Sequence, residues 1–421
     1  MTRTRTGFYA AAALAVTLLA PRLWASEIVP ASGQFQIQPP YLAPYQHRTA
    51  TVASLGTHGF VVGWEAACDP HLFCNDFTVA RRLLANGSPA DTETYVPTSW
   101  VDEYGWVGEL SFANLGEGRF ASVACTSAYN TDMVWYRRFA AGQNELDPES
   151  TTLGEFVDEL SDCEPQIASD GNGLFVIAWR RARADEEWQW TWQHVAQVFG
   201  PDGKPVSPEI AVTEPVPGGR WLDPDPTPWP TVGMDADGNF VVLWTDFRAP
   251  LHPIWGRRFD RAGNPLGERF RIGSQGASNG RVAMAMAPSG EFVVAWKAPF
   301  REQVMLLSRF TADGRRTGAM TRLSYRGLNP AIALDRTGRV ALFWIDGRRP
   351  ALAVFDASLT RLGPVVFDPP ASRDVYAGDL EDFPPGVGVA FGDDGRILTV
   401  WVGPRGRGAR DSIVGRFWRI R

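Results

Sequence analysis

Asp235-Ala-Asp-Gly-Asn-Phe240-Val-Val-Leu-Trp244, continued by Trp255-Gly-Arg-Arg-Phe259-Asp-Arg-Ala-Gly-Asn-Pro265 and Gly267-Glu-Arg-Phe-Arg-Ile272, contains one whole structural unit. The Asp-Gly pair supplies the positive φ that a tight hairpin needs. It stands between a short apolar run, Val232-Gly-Met, and the uninterrupted run Phe240 to Trp244. A run without alternation fits a strand buried on both faces. The segment ending at Phe259 alternates more, as a strand nearer solvent does. A second Gly turn then leads into a short fourth strand.

The Trp-ended run recurs along the chain. It reads Phe60-Val-Val-Gly-Trp64, Phe120-Ala-Ser-Val-Ala-Cys125, Phe175-Val-Ile-Ala-Trp179, Phe240-Val-Val-Leu-Trp244, Phe292-Val-Val-Ala-Trp296, Val340-Ala-Leu-Phe-Trp344 and Ile397-Leu-Thr-Val-Trp401. The steps between the last residues are 61, 54, 65, 52, 48 and 57, a period that points to a repeat architecture. Each run is followed by a copy of the third strand, among them Trp135-Tyr-Arg-Arg-Phe139, Val195-Ala-Gln-Val-Phe199 and Leu352-Ala-Val-Phe355. Four antiparallel strands per unit at this period are the mark of a propeller blade. The expected fold is therefore all-β: a single seven-bladed β-propeller of four-stranded antiparallel blades. The blade cores fall at about 49–98, 107–153, 165–213, 230–273, 280–324, 329–367 and 386–421.

The last unit stops at Arg421 without a fourth strand, and Gly33-Gln-Phe-Gln-Ile-Gln38 resembles the fourth strand Gly267-Glu-Arg-Phe-Arg-Ile272. The sequence thus predicts that residues 33–38 join the last blade and shut the ring, which removes a free sheet edge. An open β-solenoid would not need its two ends to meet.

The consensus Asp-x-Asp-Gly-x-Phe-Val-Val-x-Trp…Arg-Arg-Phe-Asp-x-x-Gly-x-Pro-x-Gly, best matched by residues 232–272, resembles a repeat found in many secreted bacterial β-propeller proteins. The first two units are degenerate, with Cys125 in place of Trp in the second. The resemblance implies a fold and export, and no activity.

Arg3, Arg5 and the uncharged run Phe8 to Ala20 read as an export signal over residues 1–25, leaving 26–421 as the propeller. No later run is long and apolar enough to span a bilayer. Removing residues 1–25 takes away Arg3, Arg5 and Arg22 and no acid, so 41 basic residues become 38 against 47 acidic ones, a net charge of −9. That balance argues against nucleic acid as a partner. The chain is expected to work as a monomer, periplasmic or secreted, with a carbohydrate or a protein as ligand. Four cysteines suit an oxidising compartment: Cys68 and Cys74 close a short loop, and Cys125 and Cys163 are left for each other. A metal held by Cys68, His71 and Cys74 is the weaker reading, since no second ligand pair stands nearby. No metal motif stands out, and no cofactor is expected. The Asp-rich turns invite a calcium reading, but none has EF-hand spacing, and Asp in a hairpin needs no ion.

Function on such a scaffold lies in its loops. The loops between second and third strands carry Arg180, Asp246 with Arg248, and Asp346 with Arg348; the interblade loops carry Trp100, Asp102, Trp221 and Asp223. Aromatic rings beside carboxylates and arginines suit sugar or peptide recognition. The Asp/Arg pairs are expected first to lock to one another within each loop. Trp188, Trp190 and Trp192, spaced by two, face one side of a strand and are expected to pack. The reading from the residues is an exported binding module, with a glycosidase or lyase as the alternative. Two carboxylates about 5–10 Å apart at the channel mouth would favour the enzyme. The turns do not match the Asp-box Ser-x-Asp-x-Gly-x-Thr-Trp of sialidases, because they lead into Phe-Val-Val-x-Trp.

Overall fold

The Asp-Gly turns close as their chemistry requires. In a computed structural model of the chain, Asp235 Oδ1 accepts the backbone N–H groups of Asp237 and Asn239 at 3.0 and 2.9 Å. Gly238 sits at φ +84°, and a Cβ there would meet Leu174 Cδ2 at 2.6 Å. Asp260, Asp335 and Asp356 repeat the pattern with the second and fourth residues after them. These carboxylates satisfy their own hairpins. The structure describes residues 26–39, 42, 46–67, 77–91, 106–128, 131–143, 146–153, 160–185, 187, 189–219, 229–273, 281–298, 304–324, 327–346, 349–368, 386–403 and 412–421. Among them there is no α-helix, and no helix is long and apolar enough to cross a membrane.

The second strands are buried along their length, Phe240–Thr245 at every position, while the third strand Ile254–Phe259 alternates. Trp64, Trp179, Trp244, Trp296, Trp344 and Trp401 are all 4% exposed or less. The repeated Phe at the start of the second strand lies opposite the Phe that ends the third. They stack, as in Phe120–Phe139, Phe175–Phe199, Phe240–Phe259 and Phe292–Phe310, with centroids 5.0 or 5.1 Å apart. Such cross-strand aromatic pairs contribute roughly 0.5–1.5 kcal/mol each beyond their burial.

The arrangement is a β-propeller. The first strands are Gln46–Ser54, Trp106–Gly116, Leu160–Ser169, Thr231–Met234, Val282–Met286, Gly327–Leu334 and Val387–Phe391. Each lies against the next, and Val387–Phe391 lies against Gln46–Ser54. Seven separate four-stranded sheets are not what forms. The described strands make six sheets. Five have the three to five strands of a single blade, and none closes on itself. The sixth has nine strands and holds the second and third sequence units together. The physical reason is one parallel pair, Ser161 with Asp132, which hydrogen-bonds the two units across their boundary. Cys125 and Cys163 form a disulfide at the same boundary, with their Cα atoms 5.3 Å apart.

The chain's ends meet. Phe35 and Gln36 pair antiparallel with Gly415 and Val414, and the Ile37 N–H donates to the Ile413 carbonyl at 2.8 Å. Upstream, Ile28–Pro30 pairs with Ile420, Arg419 and Trp418, a contact the sequence did not suggest. Ile37 is 1% exposed and packs in a cluster that joins Phe60 and Trp64 to Val400 and Phe417. Residues 1–25, Cys68 and Cys74 lie outside the described residues.

Candidate functional site

Several of the first strands carry β-bulges near their start. The register shifts between Arg48 and Ala50, between Gly108 and Ser111, and between Cys163 and Gln166. Inside these shifts Thr49, Glu109 and Glu164 stand at φ 36°, 61° and 58°, and Trp229, just before Thr231–Met234, stands at 38°. Left-handed φ at non-glycine residues costs roughly 1–3 kcal/mol each and gathers at functional sites. Glu164 and Trp229 also precede Pro165 and Pro230, whose rings restrict them further. Bulges re-aim side chains out of the regular alternation, and here they bring two carboxylates together.

Trp229 bridges the two. Its indole Nε1–H donates to Glu109 Oε1 at 2.8 Å, and its backbone N–H donates to Glu164 Oε2 at 3.0 Å. Arg180 Nε forms an ion pair with Glu164 Oε2 at 2.9 Å, and the Arg180 guanidinium stacks over Trp192 at 4.4 Å. The Arg281 guanidinium lies over the Trp229 ring at 4.5 Å and 3.6 Å from Glu109 Oε1. The backbone N–H of Glu109 donates to Glu65 Oε1 at 3.2 Å, which holds the bulge in place.

Burial pushes the Glu109 carboxyl above the ordinary carboxylate range; Arg281, the Trp229 hydrogen bond and Arg180 pull the other way without overcoming it, and Asp132 adds to the rise. Its Oε2 is buried and has no hydrogen-bond partner among the described residues. Oε1 is the oxygen that accepts the indole N–H. Glu164 is paired with the Arg180 guanidinium.

Beside this site, Arg181 grips Asp162 with Nε and Nη2 at 3.0 and 2.9 Å and also pairs with Glu209. Burial pushes Asp162 up against the pull of Arg181. Burial also disfavours the Arg181 charge, but Asp162 and Glu209 outweigh it and hold the guanidinium above its usual range. A polar groove of about 300 Å³ runs past this network along Arg183, Thr191, Gln193 and Pro215.

Of the sequence candidates, Arg180 belongs to the site. Asp246 is locked to Arg248, accepting its backbone N–H and its Nε at 3.1 Å, as repeated local pairs should be. Asp346 ends the strand Val340–Asp346, in register with Arg349. Trp100, Asp102, Trp221, Asp223, Arg348 and Trp188 lie outside the described residues. Trp190 and Trp192 are 5% and 7% exposed, and pack. The groups missed from sequence are Glu109, Glu164 and Arg281; Trp229 stands in the interblade loop from Glu214 to Pro230 that the sequence marks as aromatic and acidic. The available signal was a charged residue interrupting an apolar first strand beside Gly108 or Pro165.

No family model matches the chain, and no curated protein matches it. Among solved structures it is similar to the polysaccharide lyase Uly1, at 8% identity over 94% of this chain and 100% of that one, with a TM-score of 0.50. A protein of unknown function from Dyadobacter fermentans gives 12% identity over 94% and 99%, with a TM-score of 0.49. The α-L-arabinofuranosidase Arb93A from Fusarium graminearum gives 11% over 92% and 98%, with a TM-score of 0.46. The likeness is one of fold.

Proposed function

We propose that this chain is an exported glycan-acting enzyme, a glycosidase or lyase, with Glu109 as proton donor and Glu164 as the ionised partner. The observation that carries this reading is the Trp229 bridge, which ties a carboxyl that burial pushes above the ordinary range to a second carboxyl paired with Arg180. Glycan cleavage uses such a pair: a neutral acid protonates the leaving oxygen, and a carboxylate serves the opposite step. One tryptophan spans the two, so their separation is set by that residue.

The finer features of the fold belong to the same reading. The nine-stranded sheet is taken as two blades sharing one edge, which gives seven units around the axis, shut by the N-terminal strands. Residues 1–25 are taken as the export signal, and the repeat as that of the secreted bacterial propeller proteins it resembles.

The test is a panel of neutral and acidic polysaccharides. Hydrolysis is followed by new reducing ends and elimination by the absorbance of the unsaturated product. Glu109→Gln and Glu164→Gln are each expected to lower turnover about 10²-fold or more. A wild-type protein that retains glycans on an array yet cleaves none would return the chain to the binding-module reading.

A further inference from the structure

We propose that the Cys125–Cys163 disulfide is a positioning element for the site, fixing the spacing of the two bulges that carry Glu109 and Glu164. This rests on the reading of those two groups as the reacting pair. Six of the seven second strands end in a buried Trp; the other carries Cys125. Cys125 lies opposite Gly108, the neighbour of Glu109. Cys163 is the neighbour of Glu164 and lies opposite Arg180, the ion-pair partner of Glu164. The S–S bond therefore joins the strand beneath one carboxylate to the strand that bears the other.

The boundary it crosses is unlike the rest. Here alone among the described residues two neighbouring units share a hydrogen-bonded sheet, through Ser161 and Asp132, with Ser161 Oγ donating to Asp132 Oδ2 at 2.6 Å. Elsewhere neighbouring sheets are joined outside the strand ladders, as where the Ala236 N–H donates to the Pro288 carbonyl at 3.0 Å and the Thr231 hydroxyl to the Val282 carbonyl at 2.7 Å. The Trp229 bridge needs both carboxylates held to a few tenths of an ångström, since hydrogen bonds weaken steeply off their geometry. Scattered contacts of that kind fix the spacing of two strands less firmly than a covalent bond between them. Both cysteines are buried, at 0% and 2% exposure, as suits a fixed strut.

The experiment compares wild type with Cys125→Ala/Cys163→Ala and Cys125→Ser/Cys163→Ser, each starting at residue 26. The Glu109 carboxyl is titrated through ¹³C-labelled glutamate, with Glu109→Gln identifying its signal. The disulfide-free forms are expected to titrate Glu109 nearer the ordinary carboxylate range. On any polysaccharide the wild type cleaves, kcat should fall about 10²-fold, KM should stay within about twofold, and the alkaline limb of the pH profile should move to lower pH. A lower melting temperature with Glu109 titration and kcat unchanged would make the bond a plain staple and overturn the proposal. Should neither variant fold, the wild type is reduced instead: a dithiol gives two electrons and two protons, leaving two thiols and its own disulfide. Unchanged Glu109 titration after reduction overturns the proposal as well. A wild type that cleaves nothing removes the enzymatic reading, while the Glu109 titration still decides the positional one.

Discussion

Ile37→Ala tests the closure of the ring. Ile37 is 1% exposed, and its Cδ1 lies 3.0 Å from where a Cβ on Gly415 would stand. The substitution removes three carbon groups, about 2.4 kcal/mol at ~0.8 kcal/mol each. The cavity left between the first and last sheets adds about 1 kcal/mol more, for a total near 3 kcal/mol, within the usual span for a buried Ile→Ala change. Unfolding entropy near 2.1 cal/mol/K per residue gives about 0.8 kcal/mol/K for a cooperative unit of roughly 400 residues, so the melting temperature should fall by about 4 °C. Denaturant and thermal unfolding measure the two quantities. Hydrogen exchange adds the location: the amides of Ile413 and Phe417, which donate to Gln38 Oε1 at 2.7 Å and Ser32 Oγ at 3.0 Å, should lose protection first. Val206→Ala, at a position 52% exposed, is the control and should be neutral. A change below about 0.5 kcal/mol for Ile37→Ala, with those amides still protected, would refute the docking of this segment.

Other expectations follow from the same contacts. Deleting residues 26–36 uncovers the edge of Ser412–Ile420, and light scattering should then report dimers or larger species. Asp335 is half-buried, but hydrogen bonds from Arg339 and Thr337 hold its carboxyl below the ordinary range. Its contribution is therefore present above the unfolded value near pH 4 and lost as pH falls through the lower folded one, so Asp335→Asn should destabilise at pH 7 and converge with wild type in strong acid. Gly238→Ala should cost about 1–3 kcal/mol in chemical denaturation, from positive φ and the 2.6 Å approach to Leu174. Arg180→Gln should lower turnover while binding of the glycan changes less, since Arg180 touches the carboxylate and the Trp192 ring.

The parts of the fold legible in the sequence are those set by local chemistry. Asp-Gly turns, both-faces-buried second strands and the Phe pairs at strand ends each follow from residues close in the chain or repeated in register. Even the closing strand was readable, because residues 33–38 copy a fourth strand that the last unit lacks. The fusion of the second and third units was not, since a single parallel pair between Ser161 and Asp132 makes it. The site was hidden for a related reason. A bulge is a property of two paired strands, and neither Glu109 nor Glu164 is a residue type that announces positive φ. Attention to loops singled out Arg180, which lies on a second strand and pairs with Glu164, and passed over Glu109 and Glu164 themselves.

The most direct measurement is a crystal structure of the Glu109→Gln variant with a bound oligosaccharide taken from whichever polysaccharide the wild type cleaves. The scissile linkage is expected to lie between residue 109 and Glu164, beside Trp229. Sugar bound elsewhere on the ring, with residues 109 and 164 untouched, would contradict it.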